Sequence, residues 1–190
     1  MRKNLPTESR SGPGLYLPYS FFNDSKTIFT KDNNKHIPII EIIGDSHLNA
    51  IDPTGLSNKK NVIIRNHPNA TTEDINSHIV PSLKKKRDVI IIHSGSNDLT
   101  NDIDTIQHMQ SLVNKIRHKS ANTKIAISSI FIRTDKNDLK QRVINLNAKL
   151  KSFCDDNLLD FIVHNNIDET CLGQKKLHLN KKGLVNLQQT

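Results

Sequence analysis

The sequence contains no tryptophan, 4% aromatic residues in all, and only two cysteines, Cys154 and Cys171. With so few rings, the core must be built from the isoleucine, leucine and valine that occur in short runs. The two cysteines form neither a CxxC pair nor a disulfide framework, which agrees with a reducing compartment. These absences favour an aliphatic core, which is typical of a buried parallel sheet.

Long apolar runs are also missing. No segment reaches the roughly 20 apolar residues of a membrane-spanning helix, and the N-terminal stretch MRKNLPTESRSGPG lacks the apolar part of a signal peptide. We therefore expect a soluble, intracellular and cytoplasmic protein. At 190 residues, the chain is long enough for one domain. We predict a poorly ordered leader over 1–36 and a domain over 37–190 that is cut short at its C-terminus.

The chain is basic, with a formal net charge of +8, and its densest cationic run is Lys84-Lys85-Lys86-Arg87. Such a run can mark a nucleic-acid interface, but no aromatic residue is interleaved with it for base stacking. We interpret the run as the solvated end of a helix, where cations complement the helix dipole. Nucleic-acid binding stays a weaker alternative.

From residue 37 onward, apolar runs of strand length alternate with segments of helical periodicity. Helix candidates carry apolar residues three or four positions apart, and Thr71-Thr72-Glu73-Asp74 resembles a capping box at the start of one of them, which Pro81 should end or kink. The predicted strands are Ile37–Ile43, Asn61–Arg65, Asp88–His93, Lys124–Ile132 and Asp160–Val163. The predicted helices carry Ile75, Ile79 and Leu83; Ile103, Ile106, Leu112, Val113 and Ile116; and Leu139, Val143, Leu146 and Leu150. This rhythm predicts an α/β fold, a parallel five-stranded sheet with helices on both faces.

Ligands of open parallel sheets bind outside the carboxyl ends of the strands, so polar residues there are candidates for a site. A serine nucleophile needs a base and donors for an oxyanion, roles that Ser46, His178 and Asn97 can fill. Each residue alone is usually structural, as a helix cap, a core histidine or a turn former. The strand ends in question are Gly44-Asp45-Ser46-His47, Asn66-His67-Pro68-Asn69, Ser94-Gly95-Ser96-Asn97-Asp98 and Lys176-Leu177-His178-Leu179-Asn180.

Gly44-Asp45-Ser46, Gly95-Ser96-Asn97-Asp98 and His178 in LHLNKKG together resemble the blocks of the SGNH or GDSL-type hydrolases. That resemblance spans Ile37 to about Leu187 and implies a three-layer flavodoxin-like fold. It also implies Ser46 as nucleophile, His178 as general base, and an oxyanion hole of Ser46 N–H, the Asn97 amide and the residue at position 69. HLNKKG and the TTED-type helix start are similar to esterase-like domains of animal and retrotransposon-encoded proteins.

Two positions depart from the family pattern. Asn69 stands where the family has a glycine, although asparagine tolerates a left-handed backbone better than most residues. Lys175 stands where the family has the aspartate that orients the histidine, and a cation there should oppose protonation of His178. Asp168 or Glu169, earlier in the same loop, are candidates to replace the missing acid.

Other functions remain open at this level. His47 and His93 can bind a metal together with Asp45 or Asp98, but no HExxH or paired-cysteine spacing supports this, and we expect them to be polar lining. No P-loop is present, and we expect no cofactor. The favoured function is hydrolysis of a small-molecule, sugar or lipid ester. The alternatives are a non-catalytic binding domain and an accessory domain of a mobile-element protein.

Overall fold

The computed structural model describes residues 36–57 and 61–188, so the predicted leader lies outside the described residues except for His36. Five parallel strands form one sheet in the order β2-β1-β3-β4-β5. This is the flavodoxin-like order. Strand β2 is added on one side of β1 and strands β3 to β5 on the other, so the strand order switches between β1 and β3. The strands are β1 Ile39–Gly44, β2 Asn61–Asn66, β3 Val89–His93, β4 Lys124–Ser128 and β5 Asp160–Ile162. The predicted sheet is confirmed.

Helices lie on both faces of the sheet and complete the three layers. They are α1 Pro53–Leu56, α2 Thr72–His78, α3 Val80–Leu83, α4 Ser96–Thr100, α5 Thr105–Lys119, α6 Leu139–Asn157 and α7 Lys181–Gln188. Alternation along β3 sends Ile90 and Ile92 into the larger core with α5 and α6, and Val89 and Ile91 into a smaller cluster on the other face. No helix in the described part of the chain is long and apolar enough to cross a membrane.

The start of α2 forms as the sequence predicts. Thr71 accepts a hydrogen bond from the backbone of Asp74, and the Asp74 carboxylate accepts one from the backbone of Thr71, which completes a capping box. The apolar pattern continues past His78, but α2 ends there and a separate short helix, α3, carries Pro81 in its first turn. Proline lacks the N–H that a continuous helix needs, so Pro81 is accommodated only where a new helix begins.

Strand β4 is shorter than predicted. It ends at Ser128, whereas the apolar run continues to Ile132. Ser129 N–H still donates to the carbonyl of Ile162 in β5 over 2.8 Å. From Ile130 the backbone bonds to helix α6 instead: Ile130 N–H donates to Asn147 Oδ1 over 2.8 Å, and Asn147 Nδ2 donates to the Ile130 carbonyl over 2.9 Å. The asparagine side chain satisfies backbone groups that a neighbouring strand would otherwise pair.

The basic run is not one solvated patch, which corrects the sequence interpretation. Lys84 caps the end of α3 and is exposed with the two lysines that follow, but Arg87 is buried. Its Nε donates over 2.5 Å to Glu41 Oε2, in the middle of β1. A fully buried carboxylate requires a partner, and Arg87 turns inward to provide it.

Candidate functional site

Strand β1 ends in a glycine because β3 passes too close for a side chain. A Cβ added at Gly44 would lie 2.1 Å from the carbonyl oxygen of His93. The next residue, Asp45, caps a 3₁₀ turn over Ser46–Leu48, and its Oδ1 accepts a hydrogen bond from His47 N–H over 3.0 Å. The turn therefore holds Ser46 at the carboxyl edge of the sheet.

Ser46 meets His178 at this edge. Its Oγ lies 3.0 Å from Nε2 of His178, although the two residues are 132 positions apart in the chain. The histidine stands on a loop that leads into α7, closed at its base by a bridge between Leu172 and Leu179. Gly173 N–H also donates to the carbonyl of His178 over 2.8 Å. The structure thus brings together the two residues for which the sequence predicts nucleophile and base.

Asn97 and Asn69 lie on the two neighbouring loops. Asn97 follows Gly95, whose φ of 132° few other residues adopt, and its Nδ2 donates to the carbonyl of Ala70 over 2.9 Å. Asn69 has a left-handed backbone, φ 62°, as its position in the motif predicts. Within the described residues, the N–H groups of Ser46 and Asn69 donate no hydrogen bond.

Asp98 joins these two loops, a role that the sequence analysis missed. The carboxylate is fully buried and accepts from Thr72 N–H over 2.8 Å and from Thr72 Oγ1 over 2.5 Å. Thr72 Oγ1 also lies 3.0 Å from Ser94 Oγ. The first turn of α2 is thereby fixed to the loop after β3, which holds Asn69 beside Asn97.

No carboxylate among the described residues bonds to His178. Lys175 is exposed three residues before it. Asp168 caps the 3₁₀ turn Glu169–Cys171 and accepts from Thr170 N–H over 2.9 Å, while Glu169 forms an ion pair with Lys140. The structure does not bring either predicted substitute acid to the histidine.

The electrostatic surroundings favour the neutral form of His178. Partial burial lowers its pKa below the usual value, His47 contributes in the same direction, and the Asp45 carboxylate opposes them. Arg133 and Lys175 lower the pKa further. Lys175 acts in the predicted direction, although burial is the largest cause, and together these surroundings disfavour the imidazolium that proton transfer would create.

Beneath Ser46 lies a buried cluster of Asp45, His47 and His93. His47 donates from Nε2 to the carbonyl of Leu177 over 3.1 Å, next to His178. His93 Nδ1 lies 2.9 Å from Ser128 Oγ, and burial lowers the pKa of His93 to about 4. Both histidines are buried below the nucleophile turn, and His93 also lines a cavity on one face of the sheet.

An apolar cavity of about 90 Å³ lies on the face of the sheet that carries Ile40 and Ile91. His93 and Phe131 form one end of it, whereas neither Ser46 nor His178 lines it. The cavity is therefore adjacent to the histidine cluster and separate from the Ser46–His178 pair.

No family model matches the sequence, and no curated protein matches it. Solved structures do match. Est24, a carbohydrate acetylesterase from Sinorhizobium meliloti, aligns with a TM-score of 0.67 at 14% identity, over 80% of this chain and 95% of that one. A member of the lipolytic protein G-D-S-L family from Veillonella parvula aligns with a TM-score of 0.63 at 16% identity, over 80% and 96%.

A GDSL-like lipase from Bacteroides thetaiotaomicron aligns with a TM-score of 0.60 at 14% identity, over 79% of this chain and 83% of that one. The chain has the SGNH/GDSL hydrolase fold. At these identities the likeness concerns the fold, and the chemistry must be argued from the residues at the edge of the sheet.

Proposed function

We propose that this protein is a serine ester hydrolase that acts through Ser46 and His178. The observation that carries the proposal is the 3.0 Å approach of Ser46 Oγ to His178 Nε2 at the carboxyl edge of a GDSL-type sheet. A hydroxyl is a weak nucleophile until a base accepts its proton, and an imidazole at hydrogen-bonding distance meets that requirement.

The reaction begins when Ser46 Oγ attacks the ester carbonyl carbon and its proton passes to His178 Nε2. The oxyanion that forms is held by the N–H groups of Ser46 and Asn69 and by the second N–H of the Asn97 amide. Collapse of this intermediate breaks the ester bond, and the leaving alcohol takes the proton from His178. Water then attacks the acyl-enzyme with His178 again as base, which releases the acid and regenerates Ser46.

The missing acid limits the expected rate. Disabling the aspartate of a serine triad costs roughly 10⁴-fold in kcat, while the oxyanion donors and bound substrate still accelerate the reaction. We therefore expect slow turnover with a measurable acyl-enzyme. Structures with this fold include a carbohydrate acetylesterase and a lipase, which supports small-molecule ester substrates; sugar and lipid esters both fit.

Purified protein should hydrolyse a short-chain activated ester and react with a fluorophosphonate probe at Ser46. Ser46→Ala should abolish both, whereas Ser94→Ala, which changes a serine on the neighbouring loop, should keep the label. Equal hydrolysis by the native protein and Ser46→Ala, with no label at Ser46, would overturn the proposal.

A non-catalytic binding domain is the second candidate. Two observations favour it: Lys175 stands where the family has the triad acid, and Asp168 bonds to Thr170 instead of His178. The labelling experiment distinguishes the two functions, because a domain that only binds does not need a reactive Ser46. The comparisons give no support to a nucleic-acid partner.

A further inference from the structure

Three polar side chains lie close together in the buried space under the nucleophile turn. Asp45, His47 and His93 each offer one ligand atom, and these atoms all lie within 4.8 Å of one another. The side chains of Asp45 and His47 are each 1% exposed, and His93 is buried to the same degree. Each residue lies at or just after the end of a strand, so the parallel sheet itself brings them together.

The atoms that face this space lack partners. Within the described residues, Asp45 Oδ2 and His93 Nε2 form no hydrogen bond; His47 Nδ1 forms none either, although it lies 3.3 Å from Asp45 Oδ1. A buried polar atom without a partner costs about 1–3 kcal/mol. Three such atoms, one on each of three neighbouring buried side chains, indicate that a further group completes the cluster.

The other nitrogen of each imidazole is already bonded, which fixes the ring. His47 Nε2 must carry its hydrogen, because it bonds to the carbonyl of Leu177, so Nδ1 of the neutral ring presents a lone pair. Nδ1 of His93 lies 2.9 Å from Ser128 Oγ, and when Nδ1 donates this bond, Nε2 is the nitrogen that carries a lone pair. Metal-bound histidines use this arrangement, with the distal nitrogen bonded to a carbonyl or hydroxyl.

The charges also fit a cation. An aspartate carboxylate supplies an anionic oxygen ligand, and each imidazole can supply one nitrogen lone pair. One buried anion with two imidazoles is a donor set that binds zinc and related ions.

We propose that Asp45, His47 and His93 bind one divalent transition-metal ion, with Zn²⁺ as the representative ion. The ligands flank Ser46 on both sides and connect its turn to the end of β3. Through the bond from His47 to Leu177, the same site also holds the loop of His178. Three protein ligands leave a fourth coordination position for water, and the proposal does not depend on esterase activity.

The test is the metal content of the purified full chain, measured by mass spectrometry after dialysis against metal-free buffer and after loading with Zn²⁺. His67 and His78, a stacked pair with ring centroids 4.2 Å apart, can also bind zinc. The measurement is therefore made on His67→Asn/His78→Asn protein. We expect one zinc per chain, and a rise in Tm of about 5–10 °C at free zinc near 100 times its Kd.

Asp45→Asn and His93→Asn should each abolish the bound zinc and the rise in Tm. The matched control is His164→Asn, which changes a partly buried histidine that shares Ser128 Oγ with His93 but is not one of the three ligands. That variant should bind zinc normally. Circular dichroism checks that the variants fold. If a ligand variant does not fold, the zinc content of the His67→Asn/His78→Asn protein still tests the proposal by itself.

Absence of zinc from this protein, both as purified and after loading, would overturn the proposal. A proton on His47 Nδ1, which lies 3.3 Å from Asp45 Oδ1, would then be the group that completes the cluster. Zinc retained by Asp45→Asn and lost with His178→Asn would place the ion at the Ser46–His178 pair instead and would equally overturn it.

Discussion

Ser46 Oγ and His178 Nε2 lie 3.0 Å apart, although one residue follows the first strand and the other precedes the last helix. Two independent connections create this proximity. The Gly44–Asp45 turn holds Ser46 at the edge of the sheet, and the bond from His47 to the Leu177 carbonyl holds the loop of His178. The pair is therefore built into the fold, and its activity depends on what stabilises a positive charge on His178.

Lys175→Asp should raise esterase activity. A carboxylate at this position supplies the acid that a serine triad uses to orient its histidine and to stabilise the imidazolium, and it removes a cation that opposes protonation. We expect kcat to rise by at least about tenfold, a fraction of the roughly 10⁴-fold that a triad acid contributes.

Steady-state kinetics on a short-chain activated ester measure this effect. Lys176→Asp is the matched control, because it makes the same charge change one residue away and Asp tolerates the left-handed backbone at that position, φ 55°. An equal rise in both variants would mean that general electrostatics, and not a triad carboxylate, is responsible.

Asn97→Ala should lower kcat by about 10²–10³-fold, the usual effect of removing one oxyanion donor. The side chain also donates to the Ala70 carbonyl, so its loss can loosen the loop that carries Asn69. Asn147→Ala serves as a structural control, because Asn147 likewise bonds a backbone carbonyl, at Ile130, but lies outside the site. A comparable fall in kcat for Asn147→Ala would argue against an oxyanion role for Asn97.

Asn69→Ala should destabilise the protein by about 1 kcal/mol, and Asn69→Gly should not. The backbone at residue 69 is left-handed, φ 62°, a conformation that costs alanine roughly 1–2 kcal/mol and glycine nothing. Both variants keep the N–H, so neither should remove an oxyanion donor. Urea unfolding of the three proteins measures the difference, and equal stability of the alanine and glycine variants would contradict it.

The sequence predicted the residues whose positions follow from the sheet. Ser46, Asn97 and His178 follow strands or precede the last helix, and the carboxyl ends of parallel strands converge on one edge. The capping box at Thr71 was equally readable, because it depends only on residues three apart. Local patterns and sheet topology together therefore predicted the fold and the candidate residues, and the family resemblance assigned Ser46 and His178 their proposed roles.

The sequence could not predict contacts between side chains from distant segments. The bond from His47 to Leu177 depends on how two loops lie against each other. The pairing of Arg87 with Glu41 joins residues 46 positions apart. A signal for the second was nonetheless present, since a glutamate inside the run IIEIIG of a buried strand requires a partner.

Gly44→Ala should destabilise the protein by at least about 3 kcal/mol. The added methyl group would lie 2.1 Å from the backbone oxygen of His93, and a backbone atom between two paired strands cannot move aside without disturbing the sheet. Gly173→Ala is the matched control, because its methyl group would meet its nearest atom at 3.5 Å, an ordinary contact. Thermal unfolding compares the two, and similar stability would show that β1 and β3 can separate at low cost.

Glu41→Ala should cost about 3–5 kcal/mol, because it leaves Arg87 charged and buried without its partner. The exposed pair Lys151 and Asp155 provides the comparison: Asp155→Ala breaks a bond of 2.7 Å between exposed side chains and should cost less than about 1 kcal/mol. Denaturant unfolding measures both. The double variant Glu41→Ala/Arg87→Leu should recover much of the stability that Glu41→Ala loses, because the destabilisation comes from the unpaired guanidinium. No recovery would assign the lost stability to the packing around β1 instead.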